Sequence, residues 1–564
     1  MSTRNRTIAP PPKIQTSGGF GSPGSLTPSP APSTKLAVSP GKLRELTRLD
    51  TLHGQFTALV VLCVVLAAIG LTASAIVLSN INSQFNIIIN DSAPSITTAQ
   101  RLGQTIQDAD AKAADYQLAS RVDVTSPDYN AKVYPFKDGN LQREGLRNEA
   151  WNSFLQRRQE VTDLLARATV NITYPGEREA ITVISNRFLE YVSRVSIMRY
   201  ELDMGNREAA LAAYKSAHDV LVGNLGNVQL DAKGRSPDEQ LKLKNWEGFD
   251  ITRPYLGIEA NLYKLTQINQ RELDKASTAA SSSIGTTTLL VTVLCLLLVL
   301  GLGFLCFRSA TVTHRLVNPG YGLALVAGLI MGVVLLTNLS NAAKDYNTVA
   351  IDSFTSIDAA AKFRQLTTDA NGDESRLLLS PESPGLDSTN PALTAEVRKA
   401  FTSTTLQENF DTKQSLVAAQ VKRIWANITY SGEQAALCKV VQNPGSGSRC
   451  RNDSSLAMDE YLKLDKSIRD NFKNGLLAKA IELNVTDSNK AFDNMDAGIK
   501  ELSTINERAF DQSACNAVGK TQFGNACNAN GLGYINLLQT AVLIVFPLIA
   551  LATLGGFILV RHKF

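Results

Sequence analysis

Histidine is scarce in this chain. His53, His218, His314 and His562 are the only four in 564 residues, and they are scattered. There is no His-Glu-x-x-His, no Gly-x-Gly-x-x-Gly and no phosphate-cradling glycine loop, so the usual signatures of zinc hydrolysis, dinucleotide binding and phosphoryl transfer are missing. No catalytic constellation emerges, and the sequence reads as a non-enzyme without cofactor or metal. Alternation of apolar and polar residues with β-branched enrichment is also lacking, which argues against a sheet. Asp, Glu, Lys and Arg are absent from four long apolar runs, at residues 56–78, 288–307, 321–339 and 535–560. A charge-free run of this length predicts a helix crossing the hydrocarbon core. The same absence argues against an ion or proton path through the spans, and so against a channel or coupled transporter. The first run lies too deep and is too long for a cleaved signal peptide, and it has no small-residue cleavage site.

Basic residues orient the spans. The N-terminal stretch carries Arg4, Arg6, Lys13, Lys35, Lys42, Arg44 and Arg48. Arg308 and Arg315 lie between the second and third runs, and Arg561 and Lys563 follow the fourth. A positive-inside assignment puts these three places in the cytoplasm. The net charge of +4 is mostly this asymmetry, with no nucleic-acid patch in it. The expected division is a disordered cytoplasmic tail (1–54), spans at 55–79, 285–307, 321–340 and 534–560, a link (308–320) and a short end (561–564). Two large extracytoplasmic segments remain, 80–284 and 341–533. The tail is rich in Pro, Ser, Gly and Thr, a composition that cannot bury enough apolar surface to order itself.

Cysteine is sparse and unevenly placed. Cys63, Cys295 and Cys306 fall in the apolar runs, and Cys438, Cys450, Cys515 and Cys527 fall in the second outside segment. The four outside cysteines have two equal spacings, which favours local pairs Cys438–Cys450 and Cys515–Cys527 among the three pairings four cysteines allow. A zinc site would call for tighter spacing or histidine partners. Disulfides fit an oxidising compartment.

What the chain does contain is a phrase said twice. Asn171-Ile172-Thr173-Tyr174-Pro175-Gly176-Glu177 returns as Asn427-Ile428-Thr429-Tyr430-Ser431-Gly432-Glu433. Flanking matches keep the same order: Asp91-Ser92-Ala93-Pro94-Ser95-Ile96 with Asp352-Ser353-Phe354-Thr355-Ser356-Ile357, Glu190-Tyr191 with Glu460-Tyr461, and Ile268-Asn269 with Ile505-Asn506. Self-similarity at this separation indicates a duplicated domain. Tyr-Pro-Gly is turn chemistry, and the Glu after it opens the next helix at its positive end. Asn171, Tyr174, Gly176 and Glu177, with Asn427, Tyr430, Gly432 and Glu433, are therefore the repeated interhelix motif. The Asn-x-Ser/Thr pattern at Asn171, Asn427, Asn452 and Asn484 leaves glycosylation open. An apolar stripe at Ile106, Ala109, Ala113, Tyr116 and Ala119 extends the first span as helix. The second copy lacks the insert that the first carries at about 223–254.

The fold class expected is an all-α membrane protein. It has four transmembrane helices and two extracytoplasmic antiparallel four-helix bundles related by internal duplication. The unit of span, four helices and span resembles the four-helix sensor domains of bacterial chemoreceptors and sensor kinases. Gly205-Asn206-Arg207-Glu208-Ala209-Ala210 looks like the Gly-Asp-x-x-Ala break of that family. Tandem units with almost no cytoplasmic output further resemble the GlnX-type membrane proteins, which pair with the lipoprotein GlnH and the soluble Ser/Thr kinase PknG. That resemblance rests on architecture. It implies a relay in the plasma membrane, responsive to aspartate or glutamate, with a solute-binding lipoprotein outside and a Ser/Thr kinase inside. A cell-envelope scaffold is the alternative. Ligand residues are not readable, and the oligomeric state stays open between monomer and homodimer.

Overall fold

The computed structural model describes residues 52–121, 139–225, 228–314, 318–383, 390–441, 450, 456–527 and 533–561. The N-terminal tail, most of the loop carrying Cys450 and the last three residues lie outside them. The chain divides into two units, Met1–Ala58 and Leu59–Phe564, and the contacts given below all lie within the second.

Among the described residues every regular element is helical. The apolar runs sit in helices that outlast them. Helix α1 (Leu52–Asn86) passes through a π-helical turn (Ile87–Ser92) into α2 (Ala93–Ala119), and residues His53–Ala119 are one rod of 67 residues. After α3 (Gly139–Val170), α4 (Glu177–Asp203), α5 (Arg207–Val222) and the short α6 (Pro237–Leu243), helix α7 (Ile258–Thr313) runs for 56 residues. Helix α8 (Pro319–Asn347) passes through a second π-helical turn (Thr348–Ser353) into α9 (Phe354–Leu378). The remainder are α10 (Ala395–Ala400), α11 (Ser403–Ala426), α12 (Glu433–Cys438), α13 (Ala457–Lys473), α14 (Leu477–Leu483), a third π-helical turn (Asn484–Ser488), α15 (Asn489–Val518) and α16 (Tyr534–Arg561). Four of these rods are long and apolar enough to cross a membrane. Leu289, Leu300, Leu323, Val333 and Leu551 stand exposed around them, an apolar surface that suits hydrocarbon.

Helix α8 packs between α7 and α16. The Gly328-x-x-x-Gly332 pair faces α7 at ordinary contact distance, with Cβ positions 3.7 Å from Leu302 and Cys295. The tightest approach is elsewhere: a Cβ on Gly320 would stand 2.5 Å from the Gly556 nitrogen, so α8 and α16 touch backbone to backbone. Asn318 donates to the Gly556 carbonyl at 3.1 Å across this crossing. Helix α16 runs on through Pro547.

In the polar parts, each segment contains a hairpin of two helices closed in the same way. α4 and α5 form a hairpin closed at Gly205, where Asn206 N–H donates to the Glu201 carbonyl at 2.8 Å; α13 and α14 close the same way, Leu476 N–H to Asn471 carbonyl at 2.9 Å. The segments differ where the insert was expected. Residues 223–257 leave the line of α5 and rejoin it at α7, the backbones of Gly223 and Gly257 lying side by side. In the second segment α14 continues through the π-helical turn directly into α15. The insert holds a helix, α6, capped by the Ser236 hydroxyl on Glu239 N–H at 3.1 Å.

The stripe on α2 accounts for only part of its burial. Twenty-one of its 27 residues are buried, because α9 packs along its other face. Alanines at 109, 111, 113 and 114 let the two helices approach closely. The segments therefore share core: Phe154, Tyr191, Tyr214 and Ile184 of the first lie in one apolar cluster with Leu377, Leu378, Phe401 and Ile481 of the second. Cys438 and Cys450 have their sulfurs 2.10 Å apart, and Cys515 and Cys527 2.13 Å.

Candidate functional site

The repeated motif is a turn that ties three helices together, and it is built the same way in both segments. Glu177 is fully buried. Its Oε2 accepts from the N–H groups of Thr173 at 2.6 Å and Tyr174 at 2.7 Å, and its Oε1 accepts from Asn269 Nδ2 of α7 at 2.6 Å. Glu433 repeats this with Thr429 and Tyr430, both 2.6 Å, and Asn506 of α15 at 2.6 Å. Asn171 Nδ2 donates to the Asp91 carbonyl at 3.1 Å and Ser95 Oγ at 2.8 Å; Asn427 Nδ2 donates to the Asp352 carbonyl at 2.6 Å and Ser356 Oγ at 2.8 Å. The Tyr174 and Ser92 hydroxyls share a hydrogen bond at 3.2 Å, and those of Tyr430 and Ser353 one at 2.9 Å. Gly176 and Gly432 take φ of 92° and 95°, the left-handed conformation for which glycine is suited. A Cβ on either would press on Ile268 or Ile505 of the third helix, at 3.2 and 3.4 Å.

This latch sits where apolar rods turn into polar helices. Asp91 and Ser92 close the first π-helical turn, and Asp352 and Ser353 close the second. π-helical turns often mark functional points in a helix. Each latch thus fixes the turn between the second and third helices of a segment to the rod that enters it and to the helix opposite. The motif leaves little room for a sugar. Asn171 and Asn427 spend their amide nitrogens within the latch, and Asn484 is fully buried. Asn452 lies outside the described residues.

A second constellation joins the segments away from the latches. Arg376 of α9 is buried and donates to Asp110 of α2 at 2.7 Å, and to Asp369 and Asp373 at 3.1 and 2.6 Å. Asp110 also accepts from Tyr191 at 3.2 Å and Tyr214 at 3.1 Å, and lies 3.1 Å from His218 Nδ1. Lys413 reaches Asp369 and Asp373 at 2.8 and 2.5 Å, and Lys242 of α6 reaches Asp369 and Glu259 at 2.5 and 2.7 Å. Burial pushes the Asp369 carboxyl up, but Lys242, Lys413 and Arg376 together hold it well below the usual carboxylate range. Burial, then the like charge of Arg207, draws the Arg121 guanidinium down to about 10. Beside this network Glu374 is driven the other way: burial, then the charge of Asp465, pushes its carboxyl well up. Buried ion networks of this kind are costly to break from one side.

A polar cleft of about 730 Å³ opens between the segments, walled by α2, α3, α9 and α15. Ligand pockets commonly fall in this size range. Its middle carries Asp108, Lys112, Arg157, Arg364, Asp493 and Asp496. Three basic side chains that could each hold a carboxylate are Arg101, Arg199 and Lys362; of these only Arg101 lines the cleft, and it is paired with Glu507 at 3.2 Å. Arg199 lies over the Trp151 ring at 4.3 Å, and Lys362 holds Asp358 at 3.0 Å. The three do not converge. The buried network escaped the sequence because its members are ordinary helical charges until α2 meets α9. Among the described residues no group of His, Cys, Asp and Glu is arranged to hold a metal. In comparison with known proteins, no family model matches the chain, and neither a curated protein nor a solved structure does.

Proposed function

We propose that the chain is a non-enzymatic transmembrane signal relay made of two duplicated four-helix bundles on one side of a membrane. The observation that carries this is the latch, built twice with the same partners at the junction between polar helices and apolar rods. A change in bundle packing at a latch acts on the entering rod through Asp91 and Ser95, or Asp352 and Ser356, and on the opposite helix through Asn269 or Asn506. Rods of 67, 56 and 60 residues then carry it through the apolar layer without a hinge loop. The positive-inside pattern supports bundles outside the plasma membrane and both termini inside. By resemblance, the output goes to a separate cytoplasmic protein, a Ser/Thr kinase. The input is an extracytoplasmic ligand or a loaded binding lipoprotein, with aspartate or glutamate the solute the resemblance implies. Only an effector that binds two bundle arrangements unequally can drive such a relay.

The test is a deletion strain complemented with the Glu177→Ala/Glu433→Ala double variant at normal membrane level. Loss of the downstream response with the protein present supports the relay. A full response supports a scaffold that holds other envelope proteins and senses nothing.

A further inference from the structure

The open cleft has a filled counterpart. The latches align the segments residue by residue, and the alignment carries into the region between them. Asp108 and Asp369 each stand seventeen residues after the latch aspartates Asp91 and Asp352. Arg157 and Lys413 stand fourteen residues before Asn171 and Asn427, and Ser153 and Asn409 eighteen before. Asp496 and Glu259 stand ten residues before Asn506 and Asn269. The pairing within each set is the same, Arg157 on Asp108 at 2.5 Å and Lys413 on Asp369 at 2.8 Å. One set, Asp108, Ser153, Arg157 and Asp496, lines the cleft.

The other set holds the insert. Asn409 donates to Glu239 of α6 at 3.3 Å. Lys242 of α6 places its ammonium between Asp369 and Glu259, at 2.5 and 2.7 Å. Lys233 adds an ion pair to Glu408. The groove between α11 and α7 is thus closed by a piece of the chain itself. The second segment lacks that piece, since α14 runs straight on into α15. Among the described residues nothing takes its place between α3 and α15.

The two grooves differ at several positions, and three bear on what fits. Lys112 stands where the second segment has Asp373. Arg364 stands where the first segment has Gly103, and it holds Asp496 at 2.6 Å. Asp493 stands where the first segment has Leu256, and among the described residues it makes no ion pair. Burial pushes its carboxyl up, against the pull of Lys112 and Arg157 and with a further push from Asp108 and Asp496. An incoming cation therefore meets Asp108 and Asp493, with Lys112 and Arg157 already beside them, where the filled groove offers Asp369 and Glu259.

We propose that this cleft is a docking groove for a polypeptide segment of a partner, built like the chain's own insert: a short helix presenting a basic side chain to Asp108 and Asp493. The proposal deepens the relay reading by naming how a partner engages the bundles, and it rests on that reading only for the consequence of docking. The experiment uses the full chain in lipid nanodiscs and a fluorescein-labelled peptide of residues 231–247 as probe. Saturable anisotropy is expected. Binding should weaken at least about tenfold with Ser153→Trp, which fills the cleft, and with Asp108→Asn/Asp493→Asn. A peptide carrying Lys242→Glu should bind the unaltered protein at least about tenfold more weakly, so the result does not depend on variant folding. No saturable binding, indifference to Ser153→Trp, or equal affinity of the Lys242→Glu peptide would each overturn the proposal. So would full competition by free lysine, which would make the cleft a small-amine site. Glu177→Ala/Glu433→Ala should still bind the peptide while losing the cellular response, so that failure of docking and failure of relay are told apart.

Discussion

Replacing Glu177 by Gln gives the closest reading of the latch. The carboxylate offers two acceptors to three donors: Thr173 N–H, Tyr174 N–H and Asn269 Nδ2. A glutamine offers one oxygen and one NH₂ group. Whichever way it turns, the NH₂ faces a donor, either the two backbone N–H groups or the Asn269 amide. Hydrogen bonds to a charged group contribute about 1.5–3 kcal/mol each, and a buried donor left unmatched costs a comparable amount. The expected effect is a local opening of the 171–177 turn that is easier by about 1.5–3 kcal/mol, or roughly 10- to 100-fold in exchange rate. Hydrogen exchange followed by mass spectrometry, on the protein in nanodiscs, measures this directly. Peptides covering Thr173 and Tyr174 should exchange faster in Glu177→Gln, while those covering Thr429 and Tyr430 keep their protection. Glu433→Gln should reverse the pattern. Unchanged exchange at Thr173 and Tyr174 would refute the latch as described.

Arg376→Met leaves Asp110, Asp369 and Asp373 without their shared counter-charge and should cost about 3–5 kcal/mol, seen as a large drop in thermal midpoint or in folded yield. Glu374 and Asp465 carry carboxyls raised by burial, the latter to about 6, so the folded chain binds their protons more tightly than the unfolded chain does. Each contribution to stability is therefore greatest at low pH and falls as pH rises, that of Asp465 being lost as pH passes through about 6. Glu374→Gln should flatten the decline in thermal midpoint between pH 5 and pH 8, and an unchanged profile would contradict the assignment. Cys438→Ser with Cys450→Ser should cost roughly 3 kcal/mol if closing this loop acts through chain entropy, read as a lower thermal midpoint in oxidising buffer. Deleting residues 2–40 should leave the membrane level normal while abolishing the downstream response, scored together in one strain.

The apolar rods were legible because uncharged runs leave few alternatives. The latch was legible in pieces. Asn171 to Glu177, Asp91 to Ser95 and Ile268-Asn269 each recur in the sequence, and in three dimensions these pieces are one another's partners. What repetition could not reveal is which hydrogen bond each residue makes. The shared core was not legible for a different reason. The stripe on α2 announces one buried face, but Gln100, Asp110 and Asp115 are polar and still buried, because α9 covers them and supplies the partners Asp358, Arg376 and Ser375. Periodicity reports apolar burial and is silent on polar burial that is satisfied across an interface. The π-helical turns likewise leave no trace in composition.

The central claim is that the latches couple the polar bundles to the far ends of the apolar rods. It is tested most directly by a distance between spin labels placed at the far ends of those rods, at Thr311 of α7 and Leu323 of α8, in nanodiscs, with Cys63, Cys295 and Cys306 replaced by alanine. The account predicts that Glu177→Gln/Glu433→Gln, at least 110 residues away in sequence from either label, shifts or broadens the distance distribution relative to the unaltered latches. An identical distribution, with hydrogen exchange showing both latches opened, would contradict it.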